Sequence, residues 1–399
     1  AAAAVVTHLP DGIEDNAPLL IVKDIMTALQ DLGKFSRSRM NGKIIGVTGS
    51  VGKTSTKEML GLAFKGQGKV YLTEGNLNNH YGLPLSLARM PANTNFGIFE
   101  IGMNHPGEIT PLAKLATPDI AMITTVEAVH LEFFKSVEEI ADAKAEIFDG
   151  MGEKCTAVLN LDNQHYKRLE KAAKSAGLNK IISFGEKKGA DFRVDSYAEK
   201  SEKALIKLDI GGDIINYKLG MTGKHQAINS AGVLAVVKAA GVNLEKAAKN
   251  LANFEAKSGR GKVFDITCQG KTITIIEDCY NASPASVVAA LDTLGRKNVK
   301  GRRIVALGDM FELGTNAPEL HKNLSKKLLE NNIDLLFTAG ELTLNLYNAI
   351  PDKQKGGSAK DSLSLGMVLA KSLKTGDVVL VKGSRGMKME NVINVLRGK

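Results

Sequence analysis

Tryptophan is missing altogether from the 399 residues, and aromatic side chains make up only 5% of them. Proteins that grip nucleic acid by stacking need aromatic faces interleaved with clustered Arg and Lys. No block of that kind occurs, which argues against nucleic acid as a partner. Cysteine is scarce too. Cys155, Cys268 and Cys279 are widely spaced, odd in number and without metal-ligand spacing, so they read as reduced, incidental thiols of a cytoplasmic protein. No stretch approaches the roughly 18 uncharged apolar residues that a membrane span requires, so membrane insertion is not expected. Ala1 to Val6 is too short for a secretory signal and lacks a basic flank. The opening without Met leads to the expectation that the natural N-terminus lies upstream.

What the chain does contain is 44% apolar and 24% charged residues, the balance of a globular protein, and its length calls for two or three domains. The 52 basic and 43 acidic side chains leave a net charge of +9. Such an excess suits several phosphates and carboxylates held in one cleft, or simply a basic solvated surface.

The most informative stretch runs from Lys43 to Met59. Ile44, Ile45 and Val47 form a short apolar run, Gly46, Gly49 and Gly52 punctuate a turn, Lys53 and Thr54 follow, and Lys57 to Phe64 has helical character. Strand, glycine-rich loop and helix, in that order, make a phosphate cradle. Glycines let backbone N–H groups converge on phosphate oxygens, and the helix start adds partial positive charge. The usual spacing G-x-x-x-x-G-K-[ST] would place glycine at Val47, so this is a variant, in which Thr48, Gly49, Ser50, Val51, Gly52, Lys53, Thr54 and Ser55 surround the phosphates of ATP. Lys53 is expected against the β- and γ-phosphates and the Thr54 hydroxyl on Mg2+.

Strand-like and helical segments alternate from Lys43 to about residue 170, as in a parallel sheet covered by helices. Residues 190–220 alternate around Gly211-Gly212 and read as a small antiparallel hairpin region. A glycine-rich break at Ser258 to Gly261 precedes a second alternating set, with strands expected at Thr272–Glu277, Arg303–Leu307, Leu335–Ala339 and Asp377–Val381. The expected fold is α/β: a central P-loop ATPase domain with a mainly parallel sheet over 42–257, then a Rossmann-like doubly wound domain over 258–399. Residues 1–41 look like the tail of a preceding domain.

Several further residues fall where a ligand crevice should open. Glu100 closes an apolar strand and suits a magnesium ligand opposite Thr54, while His130 and Glu132 follow another strand end. The amide-rich run Thr73 to Gly82, with Asn78 and Asn79, suits a polar substrate or mere turn chemistry. Asp278, in the stretch Glu277 to Pro284, suits a ribose hydroxyl or a helix cap, and Lys382 to Gly386 offers two cations to an anion. By pattern alone Lys144 is an ordinary helix-surface lysine.

These stretches together resemble the Mur ligase family of ATP-dependent amide-bond-forming enzymes, over about residues 42–399. Thr48 to Thr54, Thr73 to Asn76 with Asn78 to His80, Asp278 with Tyr280 to Pro284, and Gly308 to Met310 with Glu312 to Gly314 carry the likeness. The last two, with Lys382 to Met387, point to the branch that joins D-alanyl-D-alanine to UDP-N-acetylmuramoyl-tripeptide in peptidoglycan synthesis. The resemblance implies ATP and two Mg2+ ions, with Thr54, Glu100, His130 and a carbamylated Lys144 as metal ligands. It makes Lys53, His130 and Lys144 the catalytic set. It also implies that Asn229, Arg260 and Asp278 touch ATP, that Asn281, Ser384 and Arg385, with Asn78 and Asn79, line the substrate path, and that the 258–399 domain binds the incoming amino component. A monomer is expected, and residues 1–41 become the remnant of a domain for the uridine diphosphate end. His225-Gln226 departs from the His-Asn common in relatives. Another Mur-type or folylpolyglutamate-type ligase, or an ATP-binding switch without ligase activity, fits the same loop.

Overall fold

The computed structural model describes residues 3–14, 16–200 and 203–398. Strands β1 (Ala4–Val6) and β2 (Leu19–Ile21) pair in parallel, and helix Ile25–Ser38 follows. Asp24 starts that helix by accepting from Thr27 N–H at 2.6 Å, a side-chain N-cap.

A nine-stranded sheet dominates the molecule. It is built from β3 (Lys43–Thr48), β4 (Val70–Leu72), β5 (Phe96–Glu100), β6 (Ile120–Ile123), β7 (Thr156–Asn160), β8 (Lys180–Gly185), β9 (Phe192–Lys200), β10 (Lys203–Ile210) and β11 (Asp213–Leu219), in the order β11-β10-β9-β8-β7-β6-β3-β5-β4. Pairing is parallel from β4 through β9 and antiparallel from β9 to β11. The hairpin region read at 190–220 is therefore the continuation of the large sheet. Successive side chains of β3 face opposite sides. Ile45 and Val47 join a core with helices Lys53–Ala63 and Lys224–Ala240, while Ile44 joins one with helices Gly82–Arg89, Ile109–Ala116 and Val137–Ala145. Burial on both faces is what makes an apolar run, rather than alternation, the signature of these strands.

The second sheet has six strands, β12 (Lys262–Cys268), β13 (Lys271–Asp278), β14 (Arg303–Gly308), β15 (Leu335–Ala339), β16 (Lys355–Ala359) and β17 (Val378–Lys382), ordered β12-β13-β17-β14-β15-β16. All pairs are parallel except β12 with β13, and a core lies on each face. Helix Pro284–Arg296 begins with a capping box between Ser283 and Ser286 and with Pro284 in its first turn, where a missing N–H costs nothing.

The start of one helix differs from the expectation. The helix after the phosphate loop begins at Lys53, not Lys57, because Gly52 already serves as its N-cap. Helix Val137–Ala145 tightens at its end into a 3-10 turn, Glu146–Gly150. There the Glu146 carboxylate accepts from the backbone N–H groups of Gly107, Ile109 and Thr110 at 2.7, 2.9 and 3.0 Å. Two short helices, Ala317–Lys322 and Leu324–Glu330, follow β14.

Ile45 is fully buried in the strand that carries the phosphate loop. Ile45→Ala is expected to lower unfolding free energy by about 2–5 kcal/mol. Urea denaturation checks this, and a loss below about 1 kcal/mol would contradict the packing described.

Candidate active site

The loop after β3 folds as a cradle because its glycines take conformations closed to other residues. Gly49 has φ 145°, and a Cβ there would overlap the Thr124 hydroxyl. Gly52 has φ 87°, and a Cβ there would lie 2.7 Å from the Asn229 side-chain nitrogen. Asn229, on helix Lys224–Ala240, is thus pressed against the loop. Lys53 Nζ turns back into the hollow and donates to the carbonyls of Gly49 at 2.7 Å and Ser50 at 3.4 Å. Desolvation holds its pKa below the usual lysine range, with Glu100 opposing and Arg260 reinforcing that shift. Its ammonium rests on weak backbone acceptors at the position where a phosphate would offer full charges.

Glu100 ends β5 one strand away, only 2% exposed. It accepts from the Thr54 hydroxyl at 2.9 Å and from the Asn78 amide at 2.8 Å. Beneath them Lys57, fully buried, donates to the carbonyls of Thr73 and Gly75 at 2.7 and 3.0 Å and pairs with Glu58 at 3.3 Å. It staples the amide-rich loop to the phosphate-loop helix. The Asn79 side chain accepts from Gly82 N–H at 2.9 Å, where helix Gly82–Arg89 begins.

The opposite wall belongs to the six-stranded sheet. Arg260 donates to the Thr54 hydroxyl at 3.2 Å, and its guanidinium lies 3.8 Å from the centre of the Tyr280 ring. Arg385 approaches the same ring at 5.9 Å and pairs with Glu390 at 2.8 Å. Lys382, 2% exposed at the end of β17, donates to Asp278 at 2.7 Å and to the Asn281 carbonyl at 2.9 Å. The Ser384 hydroxyl accepts from Phe311 N–H at 2.8 Å. His130 Nδ1 lies 2.5 Å from Glu312 Oε2, and that bond helps hold the Glu312 carboxyl below the usual range.

The two walls enclose one cleft of about 1010 Å³. Ser50 to Ser55, Asn78, Asn79, Glu100, His130, Asn229, Arg260, Asp278, Asn281, Ser384 and Arg385 all line it; Thr48, Gly49 and Lys144 do not. The pattern reading of Lys144 as a surface residue is corrected by its packing. It is 1% exposed beneath the cleft floor, with no hydrogen bond or ion pair among the described residues. Helix Val137–Ala145 also buries Ile140, Ala141, Ala143 and Ala145, so the apolar stripe is wide enough to take the lysine in. Desolvation, then repulsion from Lys53, drive its pKa well down, against the pull of Glu146.

Residue reading alone missed Lys57, Glu127 and the pairing of Glu312 with His130. Glu127 follows β6 into the cleft, and desolvation raises its pKa; its place just past a strand end was the available signal. Among the described residues no three His, Cys, Asp or Glu side chains form a metal cluster.

Residues 47–237 match the Mur ligase middle domain, and 259–385 match the Mur ligase glutamate ligase domain. A UDP-N-acetylmuramoyl-tripeptide–D-alanyl-D-alanine ligase of Rickettsia prowazekii is 34% identical over 393 residues, spanning 98% of this chain and 86% of the relative. The chain belongs to the Mur ligase family. Among solved Mur ligases, MurF of Acinetobacter baumannii superposes with a TM-score of 0.87 at 28% identity, covering 99% of this chain and 84% of that one. MurF of Thermotoga maritima in complex with ADP gives 0.85 at 28% identity, covering 100% and 88%.

Replacing Lys144 by Met tests the cost of the unpaired amine. The folded-state pKa lies below the unfolded value, so wild type bears the full burden of the buried charge below the folded pKa and sheds it as pH rises towards about 10.4. In carbonate-free buffer Lys144→Met should therefore raise the urea midpoint at pH 7, by a margin that shrinks at pH 9.5. An unchanged or lower midpoint at pH 7 would contradict the reading.

Proposed function

We propose that this Mur ligase is an ATP-dependent amide ligase of peptidoglycan precursor synthesis, joining D-alanyl-D-alanine to UDP-N-acetylmuramoyl-tripeptide with release of ADP and phosphate. One observation carries the reading: Lys53, Thr54 and Glu100 on one wall face Arg260, Asp278 and Arg385 on the other across a single cleft. A carboxylate resists attack by an amine. Phosphorylation by ATP makes it an acyl phosphate, whose phosphate group then leaves as the free amine of the dipeptide adds.

The loop from Gly49 to Thr54 holds the triphosphate, and Lys53 exchanges its carbonyl partners for phosphate oxygens. Asn229 sits against the loop, Arg260 neutralises the phosphoryl end, and Asp278 takes a ribose hydroxyl. Asn281, Ser384 and Arg385 face the incoming dipeptide, the Arg385 guanidinium suiting its carboxylate. Residues 42–257 thus hold the triphosphate, while 258–399 receive the amine and lend Arg260 and Asp278 to ATP. The use of ATP and a nucleotide-linked sugar places the reaction in the cytoplasm.

Two Mg2+ ions fit the donor set. Thr54 and Glu100, already in contact, suit an ion that draws its remaining ligands from phosphate and water. His130 and Lys144 suit a second, the lysine as a carbamate. A neutral buried amine beside Lys53 is the form that adds carbon dioxide, and the resulting anion would relieve the repulsion recorded there. When bound, the ions offset charge on the transferred phosphoryl group.

Lys53→Ala should lower substrate-dependent phosphate release by at least about 100-fold with an unchanged circular dichroism spectrum; wild-type release would contradict the assignment. Lys144→Ala should lose most activity and regain part of it with added short carboxylates. Failure of rescue together with normal metal binding would remove the carbamate from the account.

A further inference from the structure

The loops after β6 and after β14 meet across the cleft through residues 182 positions apart in the chain. Besides the His130–Glu312 contact, Glu132 N–H donates to the Glu312 carbonyl at 3.3 Å. His130 has φ 56° and Glu312 has φ 63°. Left-handed backbone in two non-glycine residues persists only where the surroundings impose it, and it gathers at functional sites. Only one edge of the imidazole is engaged. Nδ1 is held by the carboxylate, while Nε2 has no partner among the described residues, and His130 lines the cleft.

We infer that Glu312 is a positioning residue for His130: its carboxylate accepts a hydrogen bond from Nδ1–H and so leaves the Nε2 lone pair free for a divalent cation in the cleft. The inference rests on the reading of His130 as a metal ligand. A histidine that binds metal through one nitrogen commonly donates the other N–H to a carboxylate, which fixes tautomer and ring orientation together. Here that carboxylate comes from the six-stranded sheet, whereas the ligand comes from the nine-stranded one. The metal site that serves the phosphoryl group is thereby completed by the part of the chain that receives the amine. ATP is committed only when the amine-binding wall is docked, which limits loss of the acyl phosphate to water.

The test is a Mn2+ titration of the full chain with a non-hydrolysable ATP analogue, free Mn2+ being read by electron paramagnetic resonance. Wild type should bind a tighter and a weaker ion. Glu312→Ala should weaken the second about 10–100-fold and leave the first and the nucleotide affinity unchanged. Glu312→Gln, whose amide oxygen still accepts from Nδ1–H, should recover part of the loss. His130→Ala should lose the second ion, and adding Glu312→Ala to it should change nothing more. Wild-type Mn2+ affinity in Glu312→Ala, with the second ion lost in His130→Ala, would reduce the contact to a plain tie between the two sheets and overturn the inference alone. Two ions bound as in wild type by His130→Ala would overturn the reading of His130 and the inference with it. Thermal unfolding of each variant confirms that the fold is retained, as the surface position of Glu312 leads one to expect.

Discussion

Everything at this site depends on the register of three adjacent strands. Val47 of β3 stands opposite Glu100 of β5, and Thr48 stands opposite Ile123 of β6. In a parallel sheet the carboxyl ends of neighbouring strands open on the same edge. The glycine loop, the Glu100 carboxylate and the loop bearing His130 therefore emerge side by side. A shift of one residue in β5 would turn Glu100 to the other face of the sheet and part it from Thr54.

The second wall comes from a different sheet, and charge joins it to the first. Arg260 lies just before β12, reaches Thr54, and rests over the Tyr280 ring. Stacking against an aromatic face adds about 0.5–2 kcal/mol and fixes the plane of the guanidinium. His130 with Glu312 makes a second tie on the same cleft. The excess of basic residues that composition records becomes, at this place, Lys53, Arg260, Lys382 and Arg385 around one volume.

Two buried lysines show how differently one side chain can be handled. Lys57 is surrounded by carbonyls and a carboxylate, so its charge is solvated by the protein and serves architecture. Lys144 has no such partners among the described residues, and desolvation presses it towards the neutral form. An unsatisfied buried amine costs stability, and its persistence where Lys53 already crowds the site is a mark of chemistry. Both lysines occupy helices, and neither helix pattern sets it apart from an exposed lysine.

The strand–loop–helix order, the parallel character of the sheets and the strand-end positions of Glu100 and Lys382 were determined by the sequence alone. Local apolar runs, glycines and helix starts are short-range signals, and parallel topology converts them into a common edge. Only the tertiary structure decided that residues 190–220 extend the large sheet, that Lys144 lies under the cleft floor, that Asn229 presses on Gly52, and that Glu312 reaches His130. Each of these joins segments distant in the chain through sheet pairing, close packing or charge, and no local periodicity encodes which distant partner a face will meet.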